Sequence, residues 1–68
     1  MYAVKMTNLT VSPARDYFIA AHDYVEACDI LRRECREMGS AWEEGTDYTA
    51  EVVEVDDDFD FENQPDWN

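Results

Sequence analysis

Beyond Arg36 the chain has no lysine and no arginine. All five basic residues, Lys5, Arg15, Arg32, Arg33 and Arg36, lie in the first 42 residues, against six acids. Residues 43–68 hold eleven acids and no base, within a formal net charge of −12. Such a block repels nucleic acid and anionic membranes. It draws basic protein surfaces across a Debye length of about 8 Å at physiological salt. Histidine occurs once and cysteine twice, too few for a structural zinc site of the usual kind. On one helix, Cys28 and Cys35 would stand about 10.5 Å apart along the axis. A disulfide needs Cα atoms within about 7 Å, so free thiols are expected, as in a reducing cytoplasm. Long apolar runs are missing too. Nothing approaches the ~20 residues of a membrane span. Met1–Thr10 lacks a basic region followed by an apolar stretch, so no secretory leader is expected. The chain is also short. A domain of 68 residues buries only roughly 60% of its unfolded surface. That leaves little room for a catalytic site with a supporting shell, so neither enzyme nor cofactor is expected.

What is present reads as a small α+β unit. Residues 2–7 alternate, with Tyr2, Val4 and Met6 on one face and Ala3, Lys5 and Thr7 on the other, as in a half-buried strand. Asn8 to Ala14 carries turn signals, Pro13 among them. Tyr17 to Ala21 reads as a second strand, antiparallel to the first. Asp23 followed by Glu26 is a capping pair for a helix from Tyr24 to about Met38. Its expected apolar stripe is Tyr24, Ala27, Cys28, Leu31, Cys35 and Met38, with Ile30 at the margin. Gly39 is the expected stop, and Trp42 an expected anchor in the connection from Ser40 to Thr46. A third strand runs from Tyr48 to Val55. Its double valine, Val52–Val53, implies either a bulge or a second sheet face that is partly apolar. The expected architecture is β-β-α-β, a three-stranded antiparallel sheet with one helix packed on one face. Residues 1–55 form that domain, and residues 56–68 an acidic, aromatic tail. An open sheet face holding Phe18 and Ala20 would be a partner or dimer surface.

The last third is the most distinctive stretch: V-V-E-V-D-D-D-F-D-F-E-N-Q-P-D-W. Written as an extended strand, it puts Glu54, Asp56, Asp58, Asp60 and Glu62 on one side. Val53, Val55, Phe59 and Phe61 fall on the other, with Asp57 the only break. Residues two apart share a face about 6.7 Å from one another. Blocks of like charge are usually solvated and disordered. Here the carboxylates alternate with Phe59 and Phe61, and Trp67 follows, aromatics for which a solubility tail has no use. Asp56, Asp58 and Asp60 open like a calcium loop, but Phe61 and Trp67 stand where that loop needs Gly and Glu. No metal is expected. Cys28 and Cys35 read as core packing, and the helix arginines Arg32, Arg33 and Arg36 as partners of the helix dipole and of Asp29, Glu37 or the acidic tail.

A row of carboxylates can occupy lysines and arginines that otherwise neutralise phosphates. In size, charge and the E-V-D-D-D-F-D-F-E run, the chain resembles the small acidic anti-restriction and anti-CRISPR proteins of phages and mobile elements that mimic DNA. The resemblance covers roughly the last third and involves no shared sequence motif. It implies blockade of a nucleic-acid-binding defence complex in a bacterial cytoplasm, by occupation of its basic groove. The nearly neutral front half departs from such mimics, which spread charge over the folded body. The expected contacts are Glu51, Glu54, Asp56, Asp57, Asp58, Asp60 and Glu62 as phosphate surrogates, with Phe59, Phe61 and Trp67 as apolar anchors. No direct contact with nucleic acid or membrane is expected. The second reading is an acidic adaptor that binds a partner protein through its tail or dimerises through the open sheet face.

Overall fold

A computed structural model describes residues 1–67 of the chain. Three strands form one sheet in the order β2-β1-β3: β1 (Tyr2–Asn8), β2 (Arg15–Ala21) and β3 (Tyr48–Glu54). Both outer strands run antiparallel to β1. They are therefore parallel to each other, and the helix α1 (Tyr24–Met38) links them by crossing the sheet. This is the β-β-α-β order that the alternating and helical spacings imply.

Alternation decides which side chains meet the helix. Val4 lies between Ile19 and Val52, and Met6 between Tyr17 and Ala50. Val4, Met6, Ala21 and Tyr48 form the core with Ala27 and Ile30 of α1. Fully burying an aliphatic side chain such as Val4 stabilises the fold by about 2 kcal/mol. The helix starts where the capping pair requires. The Asp23 carboxylate accepts from the Glu26 N–H at 2.8 Å, and the Glu26 carboxylate accepts from the His22 N–H at 3.0 Å. Gly39 ends it with φ of 65°, a left-handed conformation that costs glycine nothing sterically. A short 3-10 turn (Gly39–Ala41) follows.

Four expectations shift. The second strand begins at Arg15, two residues early, because its register with β1 continues to Asn8↔Arg15. The third strand ends at Glu54. No bulge interrupts Val52–Val53, since pairing with β1 is unbroken there; the other option, a partly apolar second face, applies. On α1 the centre of burial is Ile30, while Tyr24 is exposed and meets Tyr2 edge-on at 5.7 Å between ring centroids. Ala27, Leu31, Cys35 and Met38 of the expected stripe do pack against the core, so the difference is confined to Tyr24 and Ile30.

Asn8 is the one buried polar residue among the described residues, at 1% exposure. Its Oδ1 accepts from the Thr10 N–H and hydroxyl at 2.9 and 2.6 Å, and its Nδ2 donates to the Trp67 carbonyl at 2.8 Å. A buried amide left unpaired would cost about 1–3 kcal/mol. The loop after β1 and the far end of the chain are thus tied through one side chain.

Burial, and after it the adjoining Cys35 thiol, together push the Tyr48 hydroxyl up to about 12. The neutral phenol is the form the folded state prefers, so the unfolded chain loses this proton first, near its ordinary value of 10.0. Stability from this group is whole below that value and declines as pH climbs from about 10 to about 12. Urea melts across this range should show the decline, and Tyr48→Phe should make it shallower.

Candidate functional site

The acidic row leaves the sheet at Val55, whose N–H donates to the Met1 carbonyl at 2.9 Å, the last bond alongside β1. β1 itself starts at Tyr2, so Val55 already lies at the end of the ladder. Three adjacent aspartates also disfavour a strand. The chain instead turns through Asp57–Asp58, closed by the Phe59 N–H donating to the Asp56 carbonyl at 3.0 Å. The extended ladder expected from Glu54 to Glu62 is therefore broken, and its carboxylates do not lie in one straight row.

After the turn, residues 59–67 return across the sheet to its other edge. Phe59 packs on Phe18 of β2 at 4.9 Å and on Phe61 at 4.6 Å between ring centroids. By alternation Phe18 points away from α1, so these three rings lie on the face expected to be open. Ala3 points the same way and is fully buried. The face is therefore not a bare surface, and its covering is the protein's own tail.

Gln64 makes the next attachment. Hydrogen bonds of the β1–β3 ladder involve Met1, Leu9 and the odd-numbered residues between them, as the Val55–Met1 and Leu9–Asp47 bonds at its ends establish. Even-numbered residues of β1 then bond to β2, which leaves the N–H and C=O of Phe18 on the outer edge. The Gln64 side chain meets both. Its Oε1 accepts from the Phe18 N–H at 2.7 Å, and its Nε2 donates to the Phe18 carbonyl at 2.8 Å. Nε2 also donates to the Phe61 carbonyl at 2.9 Å. A side-chain amide has the donor–acceptor pattern of a peptide group, so Gln64 stands in for one residue of an added strand.

Past this edge the chain reaches the helical side. Trp67 stacks on Trp42 at 5.5 Å, its Nε1 donates to the Met6 carbonyl at 3.0 Å, and its ring packs against the core. Arg15 donates to the Asp66 carbonyl at 3.4 Å. Phe59 and Trp67 thus grip the protein's own body, and Phe61 packs on Phe59. Sequence reasoning missed Gln64; a lone glutamine between Asn63 and Pro65 carries no pattern that would single it out.

The carboxylates are held differently from one another. Glu51, on the face away from α1, approaches Lys5 at 3.9 Å, while Glu54 points to the other face. Asp57 is exposed and pairs with the terminal ammonium of Met1 at 3.6 Å. Asp60 accepts from the Glu62 and Asn63 N–H groups and from the Asn63 side chain at 2.9, 3.2 and 2.8 Å. These bonds, the Asn63 side chain foremost, hold its carboxyl below the usual range. Asp60 therefore shapes a turn. Glu54, Asp56, Asp58 and Glu62 are exposed, with no ion pair to another described residue. On the helix, Arg32 pairs with Asp29 at 2.6 Å, and no ion pair joins Arg32, Arg33 or Arg36 to the tail among the described residues.

A cleft of about 270 Å³ opens beside the tail, lined by Met6, Tyr17, Ile19, Glu34, Met38 and Trp67. Burial and the adjoining Glu37 raise the Glu34 carboxyl above its ordinary range. Cys28 and Cys35 are free thiols. Among the described residues no group of three or more His, Cys, Asp or Glu is placed to hold a metal ion. No helix there is long and apolar enough to cross a membrane.

Gln64→Ala should lower stability by about 1–3 kcal/mol in urea melts, because it strands edge groups of β2 and loosens the tail. Trp67→Ala should cost about 3 kcal/mol through lost burial and the lost bond to Met6. If neither change moves the melt by more than about 0.5 kcal/mol, a level typical of featureless surface sites, the tail is not bound in solution. No family model, no curated protein and no solved structure matches the chain.

Proposed function

We propose that this is a non-enzymatic acidic inhibitor that occupies the basic groove of a bacterial nucleic-acid-binding defence complex. The observation that carries the reading is that the acidic segment is attached to the sheet at both faces and one edge. Its free carboxylates, Glu54, Asp56, Asp58 and Glu62, stand on an anchored backbone with Glu51 and Asp57 beside them. Anchoring lowers the entropy lost when a partner binds, which a floppy acidic peptide would have to lose in full.

The magnitude of charge fits this role. Duplex DNA carries one negative charge per about 1.7 Å of axis, or about 18 over 31 Å. The protein's longest extent is 31 Å and its formal charge −12, of the same order. Blockade would be steric and electrostatic, with carboxylates displacing phosphates at lysines and arginines. The aromatic residues would serve indirectly, by holding the carboxylates in place. The adaptor reading, in which residues 56–68 alone suffice, fits less well, because the attachments of Phe59, Gln64 and Trp67 all need the folded body.

The test uses the full-length protein as bait in a bacterial lysate, followed by elution with duplex DNA. Expected are nucleic-acid-binding proteins that DNA displaces, with retention falling at least tenfold between about 50 and about 200 mM salt. The combined variant Glu54→Gln, Asp56→Asn, Asp58→Asn and Glu62→Gln should retain at most one-tenth as much. Retention that neither DNA, salt nor the variant alters would sink the proposal.

A further inference from the structure

We infer that the outer edge of β3 is a strand-addition site for an extended basic segment of a partner protein. The two edges of this sheet are finished differently. On β2 the outward groups of Phe18 are filled by Gln64. On β3 the odd-numbered residues bond to β1, so Ala50, Val52 and Glu54 present their N–H and C=O groups outward. Only the head of this edge is engaged, where the Gly45 N–H donates to the Tyr48 carbonyl at 2.7 Å. Among the described residues no hydrogen bond reaches the outward groups of Ala50, Val52 or Glu54. The free stretch spans about 13 Å at the usual rise per residue.

Charge selects the occupant. Glu44 sits at the head of the edge through its bridge with Tyr48, Glu51 and Glu54 flank it on opposite faces, and Asp56 follows its foot. Two copies pairing edge to edge would bring together bodies of formal charge −12 at their most acidic borders. Carboxylates on an edge strand are a known guard against such self-pairing. The same charges attract a segment in which Lys or Arg alternates with apolar residues. Backbone bonds then supply affinity, and the flanking carboxylates supply selectivity. The inference deepens the proposed function by naming the partner's contacting element, and rests on that reading only for the partner's basic charge.

The test is amide hydrogen exchange by NMR on the full chain, with an alternating Lys-Val octapeptide as probe. Addition of the peptide should slow exchange at Ala50, Val52 and Glu54 at least tenfold, leaving Phe18 unchanged. The same octapeptide N-methylated throughout keeps its charge and loses its donors; it should bind at least tenfold more weakly. Val52→Pro removes one outward N–H without touching the β1 ladder and should weaken binding of the unmethylated peptide by about tenfold. Peptide binding that leaves the three amides unprotected, or equal affinity for the methylated peptide, overturns the inference. So does dimerisation of the free protein with protection of these amides. DNA displacement reads who the partner is, and the amides read how it docks, so either result can fail alone.

Discussion

A single glutamine side chain, bonded to both backbone groups of Phe18, governs how the acidic segment is presented. Without that attachment seven acids between Glu54 and Asp66 would sit on a chain free to move apart. Their mutual repulsion is modest. Two charges about 7 Å apart in water repel by about 0.6 kcal/mol, less with salt. Against this stand three ring pairs, Phe18–Phe59, Phe59–Phe61 and Trp42–Trp67, each worth about 0.5–1.5 kcal/mol beyond burial. Local bonds at Asp60 and the Asp57 pair with Met1 ease the repulsion further. The attachments therefore win, and the charge is carried on a folded surface.

The division between gripping and displaying residues follows from this. Phe59, Phe61, Gln64 and Trp67 of the tail face inward, and Glu54, Asp56, Asp58 and Glu62 face water. Asp60 sits in the same run yet belongs with the gripping residues, since three donors converge on it. A carboxylate that already accepts three bonds within a turn has little acceptor capacity left for a lysine. The surface available to a partner is accordingly smaller than the count of acids suggests.

The fold was legible in the sequence wherever a period repeated. Alternation marked all three strands to within two residues, and Asp23, Glu26 and Gly39 bounded the helix. These are short-range signals, set by which face a side chain takes along its own element. The course of the tail was not legible, because it depends on where β1 ends and on which edge groups β2 leaves over. Neither is encoded near Asp56 or Gln64. Extending the Glu54–Glu62 alternation as one strand failed for that reason: pairing with β1 stops at the Val55–Met1 bond, and the chain turns at Asp57–Asp58. The aromatic residues did signal burial correctly in kind. What periodicity could not tell was that their counterpart, Phe18, lies on the same chain. On α1 the expected stripe held at Ala27, Leu31, Cys35 and Met38, while Ile30, read as marginal, is buried and Tyr24 is exposed.

The bonds from Asn8 and Met6 to Trp67 span 59 and 61 positions of sequence. Residues 1–54 hold all three strands and the helix, so the sheet can assemble before 59–67 close over it. Throughout that interval β2 keeps an unguarded border and Phe18 an uncovered ring. The folded but unclasped form is thus the one most prone to clumping, and the acidic stretch attached to it supplies the repulsion that keeps neighbours apart until the clasp shuts.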